Sequence, residues 1–279
     1  MVPRAEIEAY LTPLVPAPCG IEPGGCLRAP VRSILFDIYG TLFISGSGDI
    51  GVARQQAKEA DLAALLQRFD VPLSPQALSE RFFLQIEASH EKSTKEGVDF
   101  PEVEIDRIWM AVLGTEDRDR ARRFATAYEL IVNPVYPMPG LDRTLAGCRE
   151  KGLVLGLVSN AQFFTPWLFP WFLGQPAGDL GFTPDLQIFS YRLGRAKPSI
   201  VLFETAAHQL AKREIAPGEA LFVGNDMRND VAAAKQAGFQ TALFAGDARS
   251  LRLREDDSAC RDVTPDVVIT ELVQILEYL

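Results

Sequence analysis

Short, almost continuous apolar segments recur along the chain and predict buried β-strands. Because these segments are apolar at consecutive positions rather than at every second one, we expect both faces of each strand to be covered. Apolar residues at helical spacing lie between them, with Pro198 and Gly238 at positions typical of a helix start and a helix end. The alternation predicts an α/β fold with a doubly wound, parallel, Rossmann-like sheet. The predicted strands are residues 31–36, 153–159, 186–191, 219–224 and 240–245.

One long segment breaks this alternation because it contains helical patterns and no strand pattern. Apolar residues at helical spacing occur in four consecutive stretches, residues 62–69, 78–86, 105–112 and 121–128. We therefore predict a smaller all-helical cap domain at residues 47–135, inserted into an α/β core domain of residues 31–46 and 136–279. A module inserted after the first strand would lie above the carboxyl ends of the strands, where open α/β sheets bind ligands.

Residues 1–30 are predicted to form an N-terminal extension. The prolines and glycines between residues 13 and 30 predict an extended arm after a short helix, either loosely attached or packed on a partner subunit. The segment 162–178 is aromatic and uncharged, and it is expected either to pack inside the chain or to form a dimer or ligand surface. A homodimer is therefore a possibility that the sequence leaves open.

Composition and charge exclude several kinds of function. The 28 Lys and Arg against 37 Asp and Glu give a net charge of −9, which disfavours nucleic-acid binding. The chain lacks an unbroken apolar stretch long enough for a membrane span. It has two histidines, His90 and His208, which makes a histidine-rich zinc site unfavourable, and neither is assigned to catalysis. The absence of a signal-peptide pattern and of CxxC pairs favours a cytoplasmic protein.

Chemically useful polar residues follow the predicted strands or open the helices after them. In chain order they are Asp37, Ser159 with Asn160, Lys197, and Asp226 with Asp230. If the strands are parallel neighbours, their carboxyl ends meet at one edge of the sheet. These side chains are then expected to converge on one crevice.

The ordered set FDIYGTLF, LVSNAQF, GRAKPS and FVGNDMRND resembles the haloacid dehalogenase superfamily of hydrolases, and the helical segment resembles the cap of many members. The resemblance covers about residues 31–48 and 136–250. It implies that Asp37 is a nucleophile that forms a covalent aspartyl intermediate. It also implies that Thr41, Ser159 and Asn160 hold the transferred group, while Lys197 offsets the negative charge around it.

The resemblance further implies a Mg²⁺ site. Asp226 and Asp230 match the acidic loop that binds the ion, together with a carboxylate oxygen of Asp37 and the backbone carbonyl of Tyr39. Asp230 could instead cap the helix or bind a water on the metal. The role of the neighbouring Asn225 stays open.

Tyr39 is a departure from the phosphatases of this superfamily, which usually have a second Asp there to protonate the leaving alkoxide. A tyrosine with a pKa near 10 is a weak general acid. The DxYGT sequence around Tyr39 resembles the 2-haloacid dehalogenases, which use no metal, whereas the loop at Asp226 resembles metal-dependent phosphatases. An acyl phosphate or phosphoanhydride substrate would reconcile the two loops, since its leaving group needs no proton.

From the sequence we therefore predict a Mg²⁺-dependent phosphatase that acts through an aspartyl-phosphate on a small, anionic, phosphorylated metabolite. The two carboxylates beside Asp37 favour this prediction, because they would repel one another without a cation. Two alternatives are a metal-free 2-haloacid dehalogenase and a catalytically degraded binding protein on the same scaffold.

Overall fold

The computed structural model describes residues 1–46 and 59–279. The bounds of the strands are β1 Gly24–Gly25, β2 Ser33–Phe36, β3 Phe43–Ser45, β4 Val135–Pro137, β5 Val154–Ser159, β6 Phe182–Phe189, β7 Ala220–Gly224, β8 Gln240–Phe244 and β9 Val267–Ile269. Seven of them form one sheet in the order β1-β9-β8-β7-β2-β5-β6, while β3 and β4 form a separate antiparallel ribbon. Within the sheet the β1–β9 pair is antiparallel and the other pairs are parallel. The predicted parallel α/β sheet is confirmed.

Strand β2 lies at the point where the strand order reverses. Ser33 pairs in register with Val154 of β5 on one side and with Ala220 of β7 on the other. From β2 the chain continues outward through β5 and β6, and it later returns to fill the opposite half with β7, β8 and β9. Such a reversal opens a crevice at the carboxyl end of the central strand.

The helices follow the start and stop signals of the sequence closely. Ser74 and Asp117 cap their helices by accepting hydrogen bonds from the backbone amides of Ala77 and Arg120. Gly114 ends another helix in the left-handed conformation, with a φ of 62°. Within the described residues the α-helices are α1 Arg4–Ile7, α2 Glu59–Arg68, α3 Pro75–Lys95, α4 Ile105–Leu113, α5 Arg118–Val132, α6 Leu141–Glu150, α7 Leu168–Leu173, α8 Ser190–Leu193, α9 Ile200–Ala211 and α10 Ala233–Gln236.

Helices α2 to α5 pack around an aromatic core of their own. The rings of Phe82 and Trp109 are stacked with centroids 4.4 Å apart, and Tyr128 lies against both. Phe163 and Phe164, from the loop after β5, join this cluster and tie it to the sheet. The ribbon of β3 and β4 also links the two parts of the chain. The cap boundaries at residues 47 and 135 stay predictions, and the first of them falls outside the described residues.

The N-terminal extension packs on the rest of the same chain. Trp171 donates a hydrogen bond from its indole nitrogen to the backbone oxygen of Val2, and Arg4 donates to the backbone oxygen of Trp171. Phe169 and Trp171, within the aromatic segment 162–178, are buried in the main core. Among the described residues, no helix is long and apolar enough to cross a membrane.

Replacing Phe124 with Ala tests how strongly the aromatic core of the helical part stabilises the fold. Phe124 is fully buried, so we expect Phe124→Ala to lower the free energy of unfolding by about 3–5 kcal/mol. Leu84 lies 61% exposed on α3, and Leu84→Ala should change the same quantity by less than about 0.5 kcal/mol. Urea denaturation followed by circular dichroism measures both. Equal effects of the two substitutions would contradict the described packing.

Candidate active site

A buried lysine joins two aspartates at the carboxyl end of β2. The ammonium nitrogen of Lys197 lies 2.8 Å from Oδ1 of Asp37 and 2.5 Å from Oδ1 of Asp230. All three side chains are more than nine-tenths buried. Asp37 follows β2, Asp230 lies beyond β7, and Lys197 lies beyond β6, so the parallel sheet brings together residues far apart in sequence. Since a buried charge is costly unless it is paired, each of these groups requires the others.

Asn160 fixes the backbone from which Lys197 projects. Its side-chain oxygen accepts a hydrogen bond of 2.6 Å from the amide of Lys197, and its side-chain nitrogen donates to the carbonyl of Lys197 over 3.2 Å. Asn160 directly follows β5, the neighbour of β2 in the sheet. The amide side chain therefore positions Lys197 relative to Asp37, in addition to lining the cavity described below.

The charges of this cluster are strongly coupled. Burial tends to lower the pKa of Lys197, but the carboxylates of Asp230 and Asp37 outweigh burial and raise the pKa above its usual value. Burial raises the pKa of Asp230 above its usual value, with Asp37 and Asp226 adding to the rise and Lys197 opposing it. The 2.5 Å contact is that of an ion pair, so we describe Lys197 as a cation shared by two carboxylates.

The loop after β7 holds Asp230 through its backbone. The second carboxylate oxygen of Asp230 accepts hydrogen bonds of 3.0 Å from the amides of Asn225 and Asp226. Gly224 allows this approach, because a Cβ at that position would collide with the Asp230 carboxylate. Asp230 thus stabilises the conformation of its own loop and also pairs with Lys197.

Asn225, whose role the sequence left open, faces the start of the first loop. Its side-chain oxygen accepts a hydrogen bond from Thr41 over 3.2 Å, and its side-chain nitrogen donates to the carbonyl of Ser250 over 2.6 Å. Gly40, with a φ of 79°, leaves the space that Asn225 and Ser250 fill. The amide therefore ties together the loops after β2, β7 and β8.

Two of the predicted donors to the transferred group do not reach the open space of the site. Thr41 and Ser159 have no exposed surface, and neither lines the cavity. Thr41 donates to Asn225, and the Ser159 hydroxyl donates to the carbonyl of Asn160 over 3.3 Å. In this conformation they support the loops, and their contact with a transferred group stays a prediction.

A cavity of about 440 Å³ lies over the cluster and extends up between the sheet and the helices. Its floor is polar, with Asp37, Lys197, Asp226 and Asp230 among the residues that line it. Its upper wall comes from the helical part and is largely apolar. The volume is within the range of pockets that enclose small organic molecules. Asp37 therefore lies at the base of a pocket large enough for a substrate.

Two acidic residues of the helical part also line this cavity. Glu129 accepts a hydrogen bond of 3.0 Å from the side chain of Asn133, and burial raises its pKa to about 6. Glu102 accepts hydrogen bonds from Ser190 and Gln162, but burial outweighs these bonds and raises its pKa above the usual value. Sequence reasoning missed both residues, because an isolated Glu on a helix or loop does not differ from ordinary surface charge.

Residues 31–238, about three quarters of the chain, match the haloacid dehalogenase-like hydrolase family. The matched region contains every residue of the cluster around Asp37. The chain belongs to the haloacid dehalogenase-like hydrolase family.

The proteins to which this hydrolase is similar include a curated phosphatase in sequence and a phosphatase and a dehalogenase in fold. A glyceraldehyde 3-phosphate phosphatase of Methanothermobacter thermautotrophicus is 27% identical over 143 residues, which are 51% of this chain and 58% of that protein. This chain thus matches little more than half the length of that curated relative. A 2-haloacid dehalogenase structure from Pseudomonas syringae has a TM-score of 0.55 at 21% identity, covering 89% of this chain and 97% of that one. The HAD phosphatase structure from Thermococcus onnurineus has a TM-score of 0.53 at 18% identity, with 88% and 97% covered. At these identities the two structures show the shared fold.

Tyr39 of this hydrolase faces the cavity and is a poor proton donor. Its hydroxyl lies 3.0 Å from Oγ1 of Thr165. Burial, reinforced by the carboxylates of Glu129 and Asp37, raises the pKa of Tyr39 far above its ordinary value, while the Thr165 hydrogen bond opposes the rise. The phenol therefore stays protonated and is less acidic than a free tyrosine. It can orient a group by hydrogen bonding, but it gives little help to a basic leaving group.

The carboxylates predicted to hold Mg²⁺ do not present their oxygens to one point. Arg254 forms a bidentate pair with Asp226, with its Nη2 2.6 Å from Oδ2 and its Nε 3.2 Å from both oxygens. Asp226 Oδ1 also caps the next turn by accepting from the amides of Arg228 and Asn229. Both oxygens of Asp230 are engaged as described above. In the part of the chain that the structure describes, no cluster of three His, Cys, Asp or Glu side chains is arranged to hold a metal. As they stand, these residues do not fit the ion.

Arg254 is a functional candidate that sequence reasoning missed. Arg254 belongs to the loop after β8. In this loop Arg252 forms an isolated β-bridge with Asp226, and the amide of Arg252 donates a hydrogen bond to the carbonyl of Asn225. Arg254 lies 28 positions after Asp226, beyond the matched family region, and no local pattern links the two. Only the folded chain shows that a guanidinium fills the place beside Asp226 where a metal was expected.

Glu129→Gln should remove a pH-dependent cost from the folded protein. The pKa of about 6 in the folded protein exceeds the ordinary glutamate pKa of 4.5, so ionisation of Glu129 opposes folding. The contribution of protonated Glu129 to the free energy of unfolding is fully present below pH 4.5 and is lost as the pH rises through 6. Glutamine cannot ionise, so Glu129→Gln should raise the free energy of unfolding at pH 8 by about 2 kcal/mol and change it little at pH 4.5. Urea denaturation at both pH values measures this, with Glu87→Gln on the exposed face of α3 as the control. A gain of the same size at both pH values would contradict burial of the Glu129 charge.

Arg254→Ala should increase the affinity of the protein for Mg²⁺. A cation can reach Asp226 only if Arg254 gives up its bidentate pair, and without the guanidinium that cost is absent. We expect titration calorimetry with MgCl₂ to show binding at least tenfold tighter in Arg254→Ala than in the natural protein.

Arg228→Ala is the matched control for this experiment. It removes a positive charge from the loop that contains Asp226, but the Arg228 side chain pairs with Asp257 rather than with Asp226. We expect its Mg²⁺ affinity to stay within about threefold of the natural protein. Equal Mg²⁺ affinities in the natural protein and in Arg254→Ala would show that Arg254 does not compete for this site.

Proposed function

We propose that this hydrolase is a phosphatase that acts through an aspartyl-phosphate on Asp37, with a small anionic phosphorylated metabolite as its substrate. The observation that carries the proposal is Lys197, which bridges Asp37 and Asp230 at the base of the cavity. The curated relative named as a glyceraldehyde 3-phosphate phosphatase supports the same chemistry. We further propose a location in the cytoplasm and leave homodimer formation as a possibility.

Asp37 has one oxygen held and one available for attack. Oδ1 accepts the hydrogen bond from Lys197, and among the described residues no donor contacts Oδ2. Attack by Oδ2 on the phosphorus would form the aspartyl-phosphate while the bond from phosphorus to the leaving oxygen breaks, and water would then release inorganic phosphate and restore Asp37. Lys197 would offset the negative charge that gathers between the nucleophile and the phosphoryl oxygens. Because Asn160 fixes the backbone of Lys197, this cation is placed before the substrate arrives.

Magnesium remains part of the proposal on one condition. Three carboxylates meet at the base of the cavity, Asp37 and the two aspartates of the loop after β7. The cations paired with them are Lys197 and Arg254. A dianionic phosphoryl group would add further negative charge, which favours recruitment of another cation. The ion could use Asp226 only after Arg254 withdraws from it, so Mg²⁺ dependence is tied to the position of Arg254.

The environment of Tyr39 favours activated substrates. The raised pKa of this phenol leaves the site without a tyrosine able to protonate an alkoxide efficiently. An acyl phosphate or a phosphoanhydride releases a stable anion that needs no proton. We therefore propose that such substrates are hydrolysed faster than alkyl phosphates.

A specific observation also favours a second candidate, the metal-free 2-haloacid dehalogenase. Asp226 is neutralised by Arg254 rather than arranged with other carboxylates around an ion. Displacement of a halide by Asp37 would need neither a metal nor a proton donor at position 39. The third possibility, a degraded scaffold that only binds ligands, would have no turnover at all.

A substrate panel separates these candidates. The purified protein is assayed with acetyl phosphate, glycerol 3-phosphate and 2-chloropropionate, each with MgCl₂ and with EDTA, beside Asp37→Asn. We expect acetyl phosphate to be cleaved at least tenfold faster than glycerol 3-phosphate, with turnover reduced at least a thousandfold in Asp37→Asn, whose amide is not a nucleophile.

The other outcomes contradict specific parts of the proposal. Chloride release that persists in EDTA would favour the dehalogenase. Phosphate release in the absence of Asp37 would exclude an aspartyl-phosphate. If no substrate is turned over and acetyl [³²P]phosphate labels no protein, the scaffold acts only in binding.

A further inference from the structure

The upper wall of the cavity is built from aromatic and aliphatic side chains of the helical part. It is formed by helices α3, α4 and α5 with the loops beside them. Its apolar members include Phe82, Phe83, Ile86, Val103, Ile105 and Trp109. The volume of about 440 Å³ leaves room beyond a phosphoryl group seated on Asp37. Burial of an apolar group against such a wall is favourable in proportion to the apolar area removed from water.

The same wall contains a polar atom without a partner. Among the described residues, Nε2 of His90 is the buried side-chain nitrogen or oxygen atom that makes no hydrogen bond. His90 lies on α3 and lines the cavity. Burial lowers the pKa of His90, so its imidazole is neutral at pH 7 and can either donate or accept at this atom. Because an unsatisfied buried polar group is costly, a ligand that pairs with Nε2 gains more than one hydrogen bond usually gives.

The two sides of the cavity differ in their charged residues, because the core side holds cations beside the carboxylates of Asp37, Asp226 and Asp230. Among the described residues, the cationic side chains on its wall are Lys197, Arg252 and Arg254, all from the α/β core. The helical part contributes Glu102 and Glu129. The core side therefore offers cations that can pair with a phosphate, whereas on the helical side a second anionic group of the substrate would meet the carboxylates of Glu102 and Glu129 and be repelled.

We propose that the upper wall is the binding site for the organic part of the substrate, and that this part is an apolar, aromatic-sized group bearing one neutral hydroxyl that hydrogen-bonds to Nε2 of His90. The proposal rests on phosphoryl transfer at Asp37 and adds the class of ester to it. It assigns His90 a specificity role and excludes substrates with a carboxylate or a second phosphate at the far end.

Non-hydrolysable phosphonates test this proposal without any need for turnover. Titration calorimetry compares methylphosphonate, phosphonoacetate, benzylphosphonate and the 2-, 3- and 4-hydroxybenzylphosphonates, each with and without MgCl₂. We expect benzylphosphonate to bind at least tenfold tighter than methylphosphonate, and phosphonoacetate no tighter than methylphosphonate. At least one hydroxybenzyl isomer should bind a further fivefold or more tighter than benzylphosphonate.

His90→Phe identifies the origin of the hydroxyl preference. The substitution keeps an aromatic side chain on the wall and removes the unpaired nitrogen, so benzylphosphonate should bind within threefold of its original affinity while the hydroxyl advantage disappears. The melting temperature should not fall, because the native protein gains nothing from the unpaired Nε2. His90→Gln retains a hydrogen-bonding group and should keep part of the advantage. His208→Phe makes the same chemical change on the exposed face of α9 and should alter neither affinity.

The outcomes distinguish this proposal from the function on which it rests. If methylphosphonate or phosphonoacetate binds as tightly as benzylphosphonate, the wall does not select apolar groups and the proposal is overturned, whatever the turnover of acetyl phosphate. If the hydroxyl advantage survives in His90→Phe, the assignment of His90 is overturned. If the phosphonate preferences hold but Asp37→Asn hydrolyses phosphate esters at the natural rate, the binding site stands and the Asp37 mechanism fails.

Discussion

The ion pairs of Lys197 with Asp37 and Asp230 are the constraint on which the site depends. A buried aspartate is costly unless a cation accompanies it, and Lys197 pairs at once with Asp37 at the end of the central strand and with Asp230 beyond β7. Asn160 holds the backbone of Lys197, and the amides of the loop after β7 hold Asp230. The same contacts that make the carboxylates tolerable in the core also place a nucleophile and a cation side by side.

This arrangement explains why the cavity has two different ends. The strands end together, so the charged groups of several loops collect at the base, whereas the helices above contribute mainly the aromatic surface of their own core. A ligand that spans the cavity thus meets charged side chains of both signs at the base and mainly apolar side chains above. The shape of the fold, rather than any single residue, imposes this polarity on the substrate.

Arg254 changes how the acidic loop is understood. The sequence shows carboxylates that would repel one another without a cation, and Mg²⁺ is the cation that the family resemblance implies. The structure shows that Asp226 already has a bidentate guanidinium partner from a distant loop. Charge balance at the site therefore involves two side-chain cations, and any metal has to compete with one of them. Tyr39 is partly buried and weakly acidic, and it likewise favours substrates whose leaving groups need little assistance.

The sequence by itself determined the parallel sheet, the helices between residues 59 and 132 and the order of the loops at Asp37, Lys197 and Asp230, because these follow from local periodicity, capping and strand-end position. Strands β1 and β9 and the short ribbon of β3 and β4 were not predicted, since their few residues carry almost no pattern. Only the tertiary structure decided that Asp226 pairs with Arg254 and that Nε2 of His90 is left without a partner on the cavity wall. Such facts depend on contacts between segments far apart in the chain, and no local pattern of residues encodes them.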